Sequence, residues 1–224
     1  MNTELKELLL SPLLQIGVIN RYSGLYLSRP ESVSDHTCQV GILAFVIASR
    51  CKSYGAEVDL GKVALYSLVH DADEALTADV PRNIKYFFPE LRESLHQVAL
   101  EAISRLSSQL QITELHTLWH DSKSDGLEGL IVAIADSLQV VKKALEEVEL
   151  LGNKYMLRIT LEIEPSLDKL LNTLDAGKMP AKCYGFLWSL ITDAKKCIKE
   201  IHDKHKKDIE HLGIQKLKFV GKQE

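Results

Sequence analysis

The chain has 224 residues, which is enough for one sizeable hydrophobic core or two small ones. Hydrophobic residues make up 46% and charged residues 26%, a globular composition that excludes a disordered chain. With 27 basic and 31 acidic residues, the formal charge is -4, so no global positive field favours nucleic acid and we expect no nucleic-acid partner.

The cysteines and the N-terminus bear on the cellular compartment. Four cysteines form no C-x-x-C pair and are too sparse for a disulfide scaffold, which excludes a zinc ribbon and a disulfide-built domain. The N-terminus lacks the basic region and cleavage site of a signal peptide, and no apolar run reaches the length of a membrane span. We therefore expect a soluble, cytoplasmic protein without a membrane partner.

In the first quarter of the chain, helical periodicity is interrupted by one irregular segment. An amphipathic pattern carries Pro12, which predicts a kink or a break. Residues 21–33 read as a loop, and Ser32 with Asp35 forms an S-x-x-D capping pattern that starts the next helix. Asp59 is a suitable N-cap for the helix after that.

Farther along, helical patterns continue with one long, proline-containing loop after residue 72. The strongest pattern covers residues 127–152, with an apolar stripe on one side and charges on the other. Strict alternation typical of strands is nearly absent, so the sequence predicts one all-α domain of about eight helices. These predicted helices cover residues 5–19, 32–54, 60–72, 91–109, 111–120, 127–152, 157–174 and 184–211.

Three of the helical patterns carry residues of the kinds that bind metals. His36 lies at the start of a buried helix, His70-Asp71 ends an apolar run, and Asp136 interrupts another. A carboxylate within a buried stripe costs several kcal/mol unless it is paired or binds a cation. Each residue alone could be a hydrogen-bonded core residue. Together they would form a mixed nitrogen and oxygen site for one divalent transition metal ion: Co, Mn, Zn, Ni or Fe.

The order His…His-Asp…Asp, with spacings of 34 and 65 residues, resembles the signature of the HD superfamily of metal-dependent phosphohydrolases. INRYSGLYLSRPESVSDH, LYSLVHDADEALTADVPRNIKYF and IADSLQVVKKALEEVELLGN resemble blocks of bacterial YfbR-like 5′-deoxynucleotidases. The resemblance implies an all-helical HD domain over residues 1–224, with its core at about 10–155 and a helical extension over 156–224. It also implies a homo-oligomer, a dimer or larger.

The resemblance assigns roles to individual residues. We place Glu74 and Asp71 in the catalytic group. The family usually has Trp after the arginine of the first block, whereas this chain has Tyr22. The metal ligands match His36, His70, Asp71 and Asp136, the phosphate-binding arginine matches Arg21, and a residue that reads the sugar matches Asp79.

The chemistry of these residue types agrees with the roles. Glu74 follows His70 by four residues, so on a continuing helical turn it would lie on the same face and could transfer a proton to or from water or the leaving alkoxide. Arg21 and Lys85 supply cations for phosphate, and arginine can bind phosphate with two hydrogen bonds. The ring of Tyr22 offers a face for a sugar or base.

The predicted activity is metal-dependent hydrolysis of 2′-deoxynucleoside 5′-monophosphates. One alternative is a dNTP triphosphohydrolase, which further cations at the site would favour, and another is a nucleotide-sensing HD protein without turnover. A second metal held by extra histidines is a further alternative to a single ion. The cations available for the triphosphate are Lys62, Arg82 and Lys143, and the extra histidines are His96, His116 and His120.

Overall fold

The structure is a computed structural model that describes residues 3–81, 89–124 and 126–214. Within these ranges the regular structure is helical, with one antiparallel bridge between Asn20 and Ser32. No helix in these ranges is long and apolar enough to cross a membrane. The α-helices are α1 (Thr3–Leu9), α2 (Val33–Ser53), α3 (Leu60–Val69), α4 (Glu74–Thr77), α5 (Pro89–Leu110), α6 (Leu115–Asp121), α7 (Leu127–Leu145), α8 (Leu157–Thr173), α9 (Ala181–Lys204) and α10 (Lys206–His211).

The predicted starts of α2 and α3 are confirmed at atomic detail. The side chain of Ser32 accepts a hydrogen bond from the backbone of Asp35, whose carboxylate accepts from the Ser32 backbone, which is a complete capping box. Asp59 caps α3 by accepting from the first backbone N–H groups. Pro12 produces a break: α1 ends at Leu9, and a separate 3-10 helix begins at Pro12 because proline fits the first helical position.

Three predicted helices differ from the structure at their C-terminal ends, and the first of them, predicted over 60–72, ends at Val69. The helix predicted to continue to residue 152 ends as an α-helix at Leu145 and continues as one wider turn over Glu146–Leu150. The last predicted helix is broken at His205, which is buried and bonds through both ring nitrogens, to Glu149 and Asp208. These tertiary contacts override the local periodicity.

The main hydrophobic core surrounds α7, which contacts α2, α3, α8 and α9. Ile131, Ile134 and Val140 of α7 are completely buried, as expected of a central helix. A smaller cluster forms around Trp119 of α6 and includes Ala72, just after α3. The end of α3 is therefore held between the two clusters, and this end carries His70 and Asp71.

Candidate functional site

The structure brings the four predicted metal ligands together from three different helices. His36 lies in the first turns of α2, His70 and Asp71 directly follow α3, and Asp136 lies in the middle of α7. The Nε2 atom of His36 is 3.4 Å from His70 Nε2, 3.5 Å from Asp71 Oδ2 and 3.2 Å from Asp136 Oδ1. His70 Nε2 is 3.2 Å from Asp71 Oδ2. The two imidazole nitrogens and the Asp71 carboxylate thus face one another, and the Asp136 carboxylate contacts this group at His36.

The ring of His70 is oriented by the end of its own helix. Its Nδ1 atom lies 2.7 Å from the carbonyl oxygen of Ser67, which can only accept, so Nδ1 carries a proton and Nε2 is the ring nitrogen that faces Asp71 and His36. This carbonyl is the acceptor that the Asp71 N–H would use in a continuing α-helix. The bond from the ring therefore explains why α3 ends at Val69 and not at the predicted residue 72.

The donor set fits a divalent cation. His36, His70 and Asp71 offer ligand atoms that lie within 4.8 Å of one another, and Asp136 joins the group through its contact with His36. His36 is fully buried, whereas the Asp71 and Asp136 side chains keep 23% and 28% exposure, so a cation could reach them. Imidazole nitrogen with carboxylate oxygen is a ligand set that suits divalent transition metals.

The charges at the cluster also favour a cation. Burial alone would raise the pKa of Asp71, but His70, His36 and Arg21 hold it well below its usual range. Burial alone would lower the pKa of His70, but Asp71 and Asp136 raise it. Two carboxylates therefore concentrate negative charge at the histidine Nε2 atoms, and a bound cation would neutralise it.

Glu74 begins the short helix α4 and is buried. The chain between α3 and α4 runs in tight turns, in which Ala72 N–H donates to Val69 O and Glu74 N–H donates to Asp71 O. The path from His70 to Glu74 is therefore tighter than the continuing α-helical turn that the sequence predicted. The Glu74 backbone N–H donates directly to the carbonyl of Asp71, one of the predicted metal ligands.

Arg21 and Tyr22 lie in the loop before α2, which the structure closes with backbone bonds from Arg21 to Glu31 and from Val33 to Ile19. Arg21 is buried, and its Nη1 atom is 3.2 Å from Glu31 Oε1. Its Nε atom has no hydrogen-bond partner in the described part of the protein. A buried guanidinium nitrogen without a protein partner is suited to an anionic ligand.

Asp79 is joined to this loop. The backbone N–H of Tyr22 donates to Asp79 Oδ2 at 3.0 Å. Tyr22 and Ala78, one on each side of this bond, have φ angles of 58° and 59°, which residues other than glycine rarely adopt. Such strained backbone costs about 1–3 kcal/mol per residue and is typical of ligand sites. The structure therefore brings Asp79 to Tyr22, 57 residues earlier in the chain, and next to the neighbouring Arg21.

Several sequence candidates do not join the cluster or lie outside the described residues. Lys85 and Arg82 fall within 82–88, which the structure does not describe. Lys143 is buried against Glu147, so it is not available to a substrate. In the described ranges no second group of three metal-binding side chains forms. The histidines considered for a second metal, His96, His116 and His120, are exposed.

Sequence reasoning missed Gln139 and Glu31, which are both buried beside the site. Gln139 Oε1 is 2.7 Å from His36 Nδ1, and Gln139 Nε2 donates to Glu31 Oε2 at 2.8 Å. One signal was present in the sequence, because Gln139 follows Asp136 by three residues and shares its face of α7. No signal in the sequence connected Glu31 with a residue 108 positions away.

Comparisons with known proteins identify the family of this chain. The family model described as 5′-deoxynucleotidase YfbR-like matches residues 9–176. The chain belongs to the YfbR-like 5′-deoxynucleotidase family. A 5′-deoxynucleotidase of Photorhabdus laumondii is 31% identical over 150 residues, covering 65% of this chain and 76% of the relative. A 5′-deoxynucleotidase of Vibrio parahaemolyticus is 30% identical over 175 residues, covering 72% and 89%.

Solved structures agree with membership of the YfbR-like family at the level of the fold. An HD-domain phosphohydrolase from Listeria innocua superposes with a TM-score of 0.68 at 22% identity, covering 93% of this chain and 98% of that one. A conserved hypothetical protein from Pyrococcus furiosus gives 0.63 at 25% identity, covering 86% and 99%. The predicted all-α HD fold and YfbR-like family are therefore confirmed, and with them the prediction of a hydrolase.

Proposed function

We propose that this enzyme hydrolyses 2′-deoxynucleoside 5′-monophosphates to a deoxynucleoside and inorganic phosphate. The observation that carries the proposal is the convergence of His36, His70, Asp71 and Asp136, with Nε2 and carboxylate oxygen atoms 3.2–3.5 Å apart, in a YfbR-like chain. These four side chains would hold the cation. A divalent cation there would supply a Lewis acid that neutralises phosphate charge and acidifies water.

We assign phosphate binding, proton transfer and sugar recognition to residues around the cluster. Arg21 is the proposed phosphate-binding residue, because its guanidinium charge lies near Asp71 and Asp136 and a guanidinium can bind phosphate with two hydrogen bonds. Burial opposes the charged form, but Tyr22 and these carboxylates keep the pKa of Arg21 above its ordinary value. The guanidinium is therefore always charged when substrate arrives.

Glu74 moves the protons of the reaction. Water forms a bond to phosphorus while the bond between phosphorus and the 5′ oxygen breaks, so one proton leaves the water and one must reach the 5′ oxygen. The buried position of Glu74 at the start of α4, tied by its backbone to Asp71, supports this assignment. Asp71 belongs to the catalytic group because it would hold the cation beside the same phosphate.

Asp79 and Tyr22 distinguish deoxyribose from ribose. Asp79 fixes the Tyr22 backbone, and a carboxylate in that loop can accept a hydrogen bond from the sugar 3′-hydroxyl. In this proposal the ring of Tyr22 excludes a 2′-hydroxyl. The buried Lys143 weighs against the triphosphate alternative, since that cation is already paired with Glu147. Lys85 remains a proposed phosphate contact from the sequence.

The test is phosphate release from a panel of dNMPs, NMPs and dNTPs. Inorganic phosphate from dNMPs, with ribonucleotides at least about tenfold poorer in kcat/KM, is the expected result. Triphosphate release from dNTPs with no reaction of dNMPs would replace the proposal with the triphosphohydrolase. Nucleotide binding without turnover of any member would replace it with a sensing protein.

We also propose a cytoplasmic homo-oligomer. Neighbouring helices α2 and α3 expose large apolar side chains, with Phe45 at 57% and Leu68 at 63% exposure. Clustered exposed apolar residues are typical of interfaces between protein chains. All four cysteines are free thiols, which fits a reducing compartment. Light scattering of the purified protein tests the oligomer, and a monomeric mass would contradict it.

A further inference from the structure

A buried hydrogen-bond network joins the proposed metal site to the loop that carries Arg21. The network runs through Gln139. Gln139 is completely buried on α7, three residues after Asp136. Its Oε1 atom is 2.7 Å from His36 Nδ1 and 3.2 Å from Arg21 Nη1. Its Nε2 atom donates to Glu31 Oε2 at 2.8 Å, and Glu31 Oε1 accepts from the same Arg21 Nη1. One amide therefore contacts a proposed metal ligand and the proposed phosphate-binding residue.

The chemistry of the neighbours fixes the orientation of this amide. A guanidinium can only donate hydrogen bonds, and a carboxylate paired with a guanidinium can only accept them. If the amide were reversed, its NH₂ group would face Arg21 and its oxygen would face Glu31, and both contacts would become repulsive. The amide oxygen must therefore face Arg21 and His36. Because that oxygen only accepts, His36 Nδ1 carries a proton, and Nε2 is the ring nitrogen left to bind a cation shared with Asp71 and Asp136.

We propose that Gln139 is a positioning residue for the metal site, which holds the tautomer and ring orientation of His36 and couples this ligand to Arg21. The inference rests on the proposed metal site. Side chains that orient a metal-bound histidine in this way typically contribute 10–100-fold to metal affinity. Gln139 would act through His36 and Arg21 and would not itself touch substrate.

The first test measures cation binding by the full-length protein. Gln139→Met keeps a side chain of similar length but removes both hydrogen-bonding groups. Calorimetric titration with Co²⁺ should show affinity about 10–100-fold below wild type. The matched control is Gln39→Met on α2, because the Gln39 amide accepts from Lys142 and, among the described residues, no hydrogen bond joins it to the proposed ligands. Its affinity should stay within about twofold of wild type, since it lies outside the network.

The second test exchanges the two polar groups of the network. In the double variant Glu31→Gln/Gln139→Glu, the carboxylate at position 139 accepts from His36 and Arg21, and the amide at position 31 donates to that carboxylate. Every hydrogen bond of the network therefore keeps one donor and one acceptor. Cobalt affinity should return to within about threefold of wild type, because a carboxylate orients histidine as well as an amide does. Gln139→Glu alone places two carboxylates side by side and should bind Co²⁺ more weakly than the double variant.

The outcomes separate this inference from the function on which it rests. Wild-type affinity in Gln139→Met would overturn it. If Gln139→Met fails to fold by circular dichroism, the double variant decides: a folded double variant with cobalt affinity at least tenfold below wild type would also overturn it. Wild-type protein that binds no Co²⁺ but still releases phosphate from dNMPs would overturn the metal site, and this inference with it, while the substrate assignment would stand.

Discussion

Glu147 provides the sharpest stability prediction, because it is fully buried and saturated with hydrogen bonds. Its Oε2 atom accepts from Ser28 N at 2.8 Å and from Asn153 Nδ2 at 2.7 Å. Its Oε1 atom accepts from Arg29 N at 2.9 Å and from Lys143 Nζ at 2.8 Å. The carboxylate thus accepts four hydrogen bonds. They hold the loop that carries the proposed substrate residues against the turn that follows α7.

Replacing Glu147 with Gln removes the negative charge and turns one acceptor into a donor. In either orientation of the amide, its NH₂ group faces N–H donors and cannot accept their hydrogen bonds. Lys143, which is only 2% exposed, also loses its negatively charged partner. Breaking a buried ion pair from one side costs about 3–5 kcal/mol. At about 2–4 °C per kcal/mol for a chain of this size, the Tm should fall by about 6–20 °C.

Thermal and urea unfolding followed by circular dichroism measure this change. The control is Glu146→Gln, one residue earlier, which loses pairs with Arg29 and Lys142. Those partners are 74% and 53% exposed, so the control should cost no more than about 1 kcal/mol. Equal losses of unfolding free energy in the two variants, or a loss below about 1 kcal/mol in Glu147→Gln, would show that the buried pair with Lys143 does not stabilise the fold as expected.

The same carboxylate predicts a dependence of stability on pH. Burial alone would raise the pKa of Glu147, but hydrogen bonds from Asn153, Lys143 and the loop backbone lower it from 4.5 to about 2. Because the folded pKa is depressed, the stabilisation is complete above pH 4.5 and is lost as the pH falls towards 2. Wild type should lose more stability than Glu147→Gln across this interval.

Three further variants test the proposed roles of the site residues. Asp136→Ala should lose the cation and the hydrolysis of dAMP, and full metal occupancy in this variant would remove Asp136 from the ligand set. Glu74→Ala should keep the metal and nucleotide binding while kcat falls about 10²–10⁴-fold, and loss of the metal would instead make Glu74 a ligand. Asp79→Ala should bring kcat/KM for AMP and dAMP together from a ratio of at least about ten in wild type, and an unchanged ratio would exclude sugar reading by Asp79.

Local signals predicted most of the helices and the metal-type residues. The capping box at Ser32 and Asp35 and the N-cap Asp59 depend on neighbours within three residues, so the sequence alone reveals them. Polar interruptions of apolar stripes likewise singled out His36 and Asp136. The resemblance of the ordered set to the HD signature supplied the superfamily, and the resemblance of three longer blocks supplied the YfbR-like family, which the family match confirms.

Contacts between distant segments account for what the sequence did not predict. The break at His205 depends on Glu149, 56 residues earlier, and the end of α3 depends on the His70 ring taking a backbone acceptor. The sequence predicted Lys143 as a cation available to substrate, but the fold buries it against Glu147. The link between Gln139 and Glu31 spans 108 residues, so periodicity within a helix carries no information about it.

Phosphate release from dAMP before and after metal removal tests whether the enzyme needs a bound divalent cation for hydrolysis. Wild-type protein is treated with a chelator, desalted, and assayed alone and after addition of Co²⁺ or Mn²⁺ at one equivalent per chain. We expect no release from the treated protein and recovery of activity at about one cation per chain, because the proposed ligands His36, His70, Asp71 and Asp136 would hold a single ion. Full phosphate release from metal-free protein would contradict this expectation.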